Sequence, residues 1–151
     1  MAELIRRGTP ADVAAITDLT MLAYSKWLAL IDYKPLPMLA NYAVAIREHR
    51  FDLLEADGVL AALIETKLRD NDLLIVNVAV SPDAQKRGHG RRLMALAEQI
   101  ATEADRSTLR LYTNERFEEN IRLYASLGYV HEHLETRANG ARVVHMVKRM
   151  G

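Results

Sequence analysis

The chain has 151 residues, with 20 Lys and Arg against 20 Asp and Glu, so it is formally neutral at pH 7. Half of the residues are hydrophobic and 26% are charged, the balance of a globular domain with a sizeable core and without the basic excess that a nucleic-acid footprint needs. There is no cysteine, which excludes disulfides and zinc–thiolate sites, and no apolar run approaches the ~20 residues that span a bilayer.

In chain order, Leu4-Ile5-Arg6-Arg7 reads as a first strand. Thr9-Pro10-Ala11-Asp12 starts a helix, with Thr9 as cap, Pro10 in the first position and an acid three residues after the cap. Val13, Ile16, Leu19, Thr20 and Ala23 continue it at helical spacing. Between Tyr24 and Pro37 the apolar residues Trp27, Leu28, Leu30, Ile31 and Tyr33 run into prolines that break regular structure. A second helix is expected over Met38 to His49. Phe51 to Glu55 and Val59 to Lys67 are expected as strands joined at Asp57-Gly58, a hairpin signal.

Leu73 to Val80 is an apolar central strand interrupted only by Asn77 and stopped by Ser81-Pro82. After the basic, glycine-bearing loop Gln85 to Arg92, a helix places Leu93, Leu96, Ala97, Ile100 and Ala104 on one face. Thr108 to Thr113 alternates as a strand, and Asn120 to Leu127 forms a short helix ended by Gly128. His131 to Arg137 and Arg142 to Arg149 close the chain as a pair around Asn139-Gly140. Residues 1–151 thus read as a single domain of order βααβββαβαββ, a mixed α/β layer around one twisted sheet. The opening residues, Met1 to Arg7, lack the charge-then-apolar order of a signal peptide, so a cytoplasmic location with no membrane partner is expected.

The loop between central strand and helix carries the chemistry. Gly88 and Gly90 allow backbone N–H groups close to an anion, and the first N–H groups of a helix have no partner inside it. Lys86, Arg87, Arg91 and Arg92 add charge. A Walker loop needs Lys-Ser or Lys-Thr after its second glycine, where this chain has Arg91-Arg92. A dinucleotide fingerprint needs a third small residue where Leu93 stands, and an acid near Arg110.

Gln85, two residues, Gly88, one residue and Gly90 resemble motif A of the GNAT superfamily, the acetyl-coenzyme A-dependent N-acetyltransferases. Asn120-Ile121-Arg122-Leu123-Tyr124 with the terminal Gly128-Tyr129 resembles the same family's motif B. The resemblance implies a twisted, mainly antiparallel sheet flanked by helices, and acetyl-coenzyme A as co-substrate with no metal. It implies that Gln85, Lys86, Arg87, Gly88, His89, Gly90 and Arg91 wrap the coenzyme's pyrophosphate. Val78, Ala79 and Val80 would form the central-strand contact, with a bulge around Val78 and Val80 freeing amides for an oxyanion. Asn120 would touch the pantetheine or phosphate region, and the Tyr124 hydroxyl would stand beside the sulfur as proton donor. One departure is Phe117, where many members carry Asn; Asn114 reads as a turn cap.

The implied reaction is acetyl transfer to a primary amine of a small molecule or peptide. With no cysteine to carry the acetyl group, direct attack is the simplest scheme. Glu65 on the neighbouring strand is the candidate general base, beside a water relay with no single base. From the residues alone, Tyr124 reads as core packing on the apolar helix stripe, its hydroxyl on a backbone carbonyl. Asn77 reads as a buried amide satisfied by backbone, or as a residue holding a water. His131 and His133 would share one solvent-facing strand face, and His89 would be a loop side chain. The acceptor pocket would be walled by Tyr24 to Leu36, with Trp27 as a core anchor and Tyr33 left open between core and substrate contact. The alternative function is a coenzyme A-binding module without catalysis. A homodimer is compatible with the resemblance, because many members pair through sheets or helices.

Overall fold

Residues 2–151 are described by the computed structural model. Among them the elements are β1 (Glu3–Arg7), α1 (Val13–Tyr24), α2 (Leu36–Leu39), α3 (Tyr42–Glu48), β2 (Arg50–Ala56), β3 (Val59–Leu68) and β4 (Leu73–Val80), followed by α4 (His89–Glu103), β5 (Thr108–Asn114), α5 (Glu118–Ser126), β6 (Val130–Thr136) and β7 (Arg142–Arg149). The order matches the expectation except that the helix expected over Met38 to His49 is two pieces. Ala40 is extended, with ψ of 145°, and Asn41 restarts the helix by accepting the Ala43 N–H at 3.0 Å. Before α1, the Asp12 carboxylate accepts the Thr9 N–H at 2.8 Å and the Arg6 guanidinium at 2.8 and 2.9 Å. Those bonds, Arg6 first, hold Asp12 down at about 2. No helix among the described residues is long and apolar enough to cross a membrane.

The strands form one sheet in the order β1-β2-β3-β4-β5-β7-β6, antiparallel throughout except for the β4–β5 pair. The β2–β3 hairpin turns at Asp57 and Gly58, both at positive φ, as a primed turn requires. Helices cover both faces. On one, α4 and α5 bury Leu93, Met94, Ala97 and Tyr124 against Leu54, Ile64, Ile75 and Leu111. On the other, α1 and α3 bury Ile16, Leu19 and Tyr42 against Phe51, Leu53 and Leu63. The α4 stripe is rotated slightly from expectation: Met94 and Ala101 are buried, while Leu96 and Ala104 are only half-buried.

The sheet does not stay closed along its length. β4 and β5 pair only over Leu73–Ile75 against Leu109–Leu111. At the same level the β3–β4 register slips, with Thr66 opposite Ile75 but Glu65 opposite Asn77, so Val76 is an extra residue in β4. Such a bulge bends its strand and raises the local twist. Beyond it the carboxyl ends of β4 and β5 diverge, and the gap between them is where the site lies.

Candidate active site

Free backbone groups line the gap. The Ser81 N–H bonds the Ala61 carbonyl at 2.8 Å, and the same register sets Ala79 against Leu63 and Asn77 against Glu65. Antiparallel strands alternate the direction of their main-chain groups, so those of Val78 and Val80 face away from β3, into the gap. The Tyr24 hydroxyl reaches the Val78 carbonyl at 3.4 Å. The bulge itself stands at Val76, not around Val78 and Val80 as expected, because the register slip coincides with the end of the β4–β5 pairing.

On one side of the gap a cleft of about 1010 Å³ runs from Val78, Ala79 and Val80 to the start of α4. Lys86 and Gly88 adopt φ of 65° and 79°, and Gly88 is the N-cap of α4. The first helical bond there joins the Arg92 N–H to the Gly88 carbonyl at 3.0 Å. The N–H groups of His89, Gly90 and Arg91 therefore have no partner within the helix, and with the helix dipole they fit an anion. A Cβ on Gly90 would lie 3.9 Å from both Leu123 and Val80, touching the two walls. Gln85, Lys86, Gly88, His89, Gly90 and Arg91 line this cleft, but the exposed Arg87 does not. Arg92 turns away to bond Glu3 at 2.6 Å, and Arg91 also ties α4 to α5 through Ser126 at 3.2 Å. His89 is no loop side chain: it is 3% exposed, with a buried and unpartnered Nε2, because the helix begins at this residue and turns it inward.

On the other side lies a cleft of about 780 Å³ between the Tyr24–Leu39 segment, β4, β5 and the β6–β7 turn. Asn77 lines it and is satisfied by side chains, not by backbone: its Oδ1 accepts from Tyr24 at 2.8 Å and its Nδ2 donates to the Tyr42 hydroxyl at 3.4 Å. Trp27 is indeed a packing residue. It stacks on Phe117 at 4.3 Å between centroids, and together with Ile31 they form a small separate cluster. Phe117 thereby clamps the Tyr24–Leu36 segment to the start of α5, a structural use of the position where Asn was expected from the family pattern. Asn114 caps its turn as expected, accepting the Arg116 N–H at 2.9 Å, and also donates to the Tyr33 hydroxyl, which places Tyr33 on the cleft wall.

The two clefts meet. Tyr24, Val78, Asn120 and Tyr124 line both. Tyr124 is 8% exposed, and burial alone pushes its hydroxyl up to about 12, so it stays protonated at neutral pH. The Tyr124 ring packs in the core beside Tyr129, 6.3 Å between centroids, and among the described residues no backbone carbonyl accepts from its hydroxyl. Burial also raises Tyr24 well above the usual phenol range. Sequence reading placed Tyr24 at the start of the acceptor wall without a role for its hydroxyl, and passed over Arg137, Asn139 and Val143 because they approach only through the β6–β7 turn.

Glu65 does not reach this junction. It is 3% exposed on the face under α3, lies 2.6 Å from His49 Nδ1, and lines neither cleft. Burial pushes its carboxyl up, with His49 opposing. The two histidines of β6 are exposed, but they do not share a face. A register irregularity lies between them, so His131 stands opposite Met146 and His133 opposite its neighbour His145.

The splayed strands, the glycine N-cap and the tyrosine at the junction were compared with known proteins. No curated protein matches the sequence significantly. Among solved structures, the chain is similar to the PaiA N-acetyltransferase of Thermoplasma acidophilum in complex with coenzyme A: 19% identity, 99% of each chain covered, TM-score 0.81. It is similar to the ribosomal-protein-S18-alanine N-acetyltransferase of Escherichia coli at 20% identity, 99% and 95% coverage and TM-score 0.77. A GNAT family acetyltransferase of Elizabethkingia anophelis with acetyl-CoA bound matches at 17% identity, 98% of each chain and TM-score 0.75. At these identities the likeness establishes the fold. The sequence itself matches the model of the acetyltransferase (GNAT) family over residues 14–129, which takes in the gap, the glycine loop and Tyr124, and the chain therefore belongs to the GNAT family of acetyltransferases.

Proposed function

We propose that this protein transfers the acetyl group of acetyl-coenzyme A to a primary amine by direct attack, within one domain that holds both substrates together. The observation that carries the reading is the junction, where a free tyrosine hydroxyl and strand amides with no ladder partner stand between two clefts. The cleft ending at α4 takes the coenzyme: the N–H groups of His89, Gly90 and Arg91, with Lys86 and Gln85, hold its pyrophosphate. Asn120 lies along the pantetheine arm. Solved relatives carrying coenzyme A or acetyl-CoA support this choice of donor.

A Val78 or Val80 amide receives the oxyanion as the amine nitrogen bonds to the acetyl carbon. The carbon–sulfur bond then breaks, and Tyr124 donates a hydrogen bond to the leaving sulfur; with a pKa of about 12 it remains a phenol. The ammonium proton passes to water in the second cleft, since Glu65 is held away by His49. The free Tyr124 hydroxyl favours an enzyme over a binding module, which has no use for a donor there. An amine-library screen that follows release of free thiol from acetyl-coenzyme A tests the reading. Tight coenzyme binding with no thiol release from any amine would leave a binding module.

A further inference from the structure

The charge of the second cleft points to the acceptor. Its lining contains Lys34 and Arg137 and no Asp or Glu. Its remaining walls are tyrosines, asparagines and apolar groups such as Leu36, Pro37 and Val143. A cleft built for a polyamine or another polycation needs carboxylates to pair the second positive charge, and a desolvated ammonium without one is strongly disfavoured.

Arg137 has spare binding capacity. Its guanidinium packs over the Tyr112 ring, 5.6 Å from the centroid, and its Nε is buried without a hydrogen-bond partner. The nearest carboxylate, Glu135, lies 3.5 Å from Nη2 on the same edge as Nε, outside the cleft lining, and is already bonded to His145 at 2.8 Å. The side chain is 26% exposed and lines the cleft, so the Nη end of its guanidinium, though not the buried Nε, is open to a ligand. The exposed Nη end of a planar guanidinium can give a carboxylate two parallel N–H bonds.

We infer that the acceptor is an amine that also bears a carboxylate and an apolar body, such as a free apolar α-amino acid, with Arg137 as the group that binds the carboxylate and Lys34 supporting it at the rim. This assignment rests on the acetyl-transfer reading above.

The test uses the whole protein with acetyl-coenzyme A and matched acceptors: phenylalanine and leucine as free acids, their amides, phenethylamine and spermidine. Thiol release gives kcat and KM for each, and calorimetry on the coenzyme A-loaded protein gives binding of the two acids. The free acids should exceed their amides in kcat/KM by about 10- to 100-fold, as one charge-assisted pair allows. Arg137→Gln should remove that gap through KM, leaving coenzyme affinity unchanged, and Arg137→Lys should restore part of it. Preference for an amide, phenethylamine or spermidine would overturn the carboxylate assignment while leaving acetyl transfer intact. Failure of both acids to bind the coenzyme A-loaded protein would overturn it as well. Failure to bind coenzyme A at all would instead reject the reading beneath it.

Discussion

The cleft proposed for the acetyl donor takes its polar groups at α4 from one short stretch, Gln85 to Arg91, mostly main-chain N–H groups at a helix start. The acceptor-side cleft is assembled from side chains of the Tyr24–Leu39 segment, β4, β5, α5 and the β6–β7 turn. Backbone donors require only a local conformation, here the positive φ of Lys86 and Gly88. Side-chain walls require several elements to arrive at the right separation. The cleft proposed for the coenzyme thus rests on donors fixed by local conformation, and the one proposed for the acceptor on side chains that the fold brings together.

The largest expected effect is on the backbone-built side. Gly88→Asp places a carboxylate among the free N–H groups and forces a left-handed conformation, and should weaken coenzyme A binding by about 1,000-fold in calorimetry. Gly88→Ala is its control. An added Cβ there meets nothing within 4 Å, so it should cost about 1 kcal/mol of stability and spare most of the affinity. Equal affinities for the two variants would erase the distinction between the clefts. Next comes the clamp of the side-chain-built wall. Phe117→Ala removes a 3%-exposed ring stacked on Trp27, and denaturant unfolding should show a loss of about 3 kcal/mol. The acceptor KM should rise more than the coenzyme dissociation constant.

At the junction, Tyr124→Phe should lower kcat by about 100-fold with little change in coenzyme affinity. Near-normal turnover would return Tyr124 to a packing role. The smallest effect lies outside both clefts. Asp12→Asn should cost about 1 kcal/mol, read from urea unfolding at pH 7. Asp12 sits at about 2 against an ordinary 3.8, so its contribution is full above about pH 4 and is lost as pH falls toward 2. The difference between wild type and variant should shrink across that window, while acetyl transfer at neutral pH is unaffected.

Strand and helix positions followed from the sequence because their signals are local. The apolar run stopped by Ser81-Pro82 located β4 from Leu73 to Val80 to the residue, and Asp57-Gly58 marked the β2–β3 turn. Gly88 marked the start of α4 because a glycine N-cap acts through its own backbone. The split at Ala40 and Asn41 was hidden because an N-cap Asn inside an apolar run looks like one more polar position. Glu65 was placed correctly on a strand beside β4, yet which face it takes and which partner it meets depend on α3 bringing His49 across the sheet.

What the sequence determined by itself was the element order and the glycine-led start of α4, each set by residues within a few positions of one another. Only the tertiary structure decided where β4 and β5 part, that Tyr24, Asn120 and Tyr124 converge at that parting, and that Arg137 reaches the same cleft from the far end of the chain. Those outcomes depend on sheet register and on contacts between distant segments, and a slip of one residue, as at Val76, redirects the groups beyond it without leaving a mark in the local pattern.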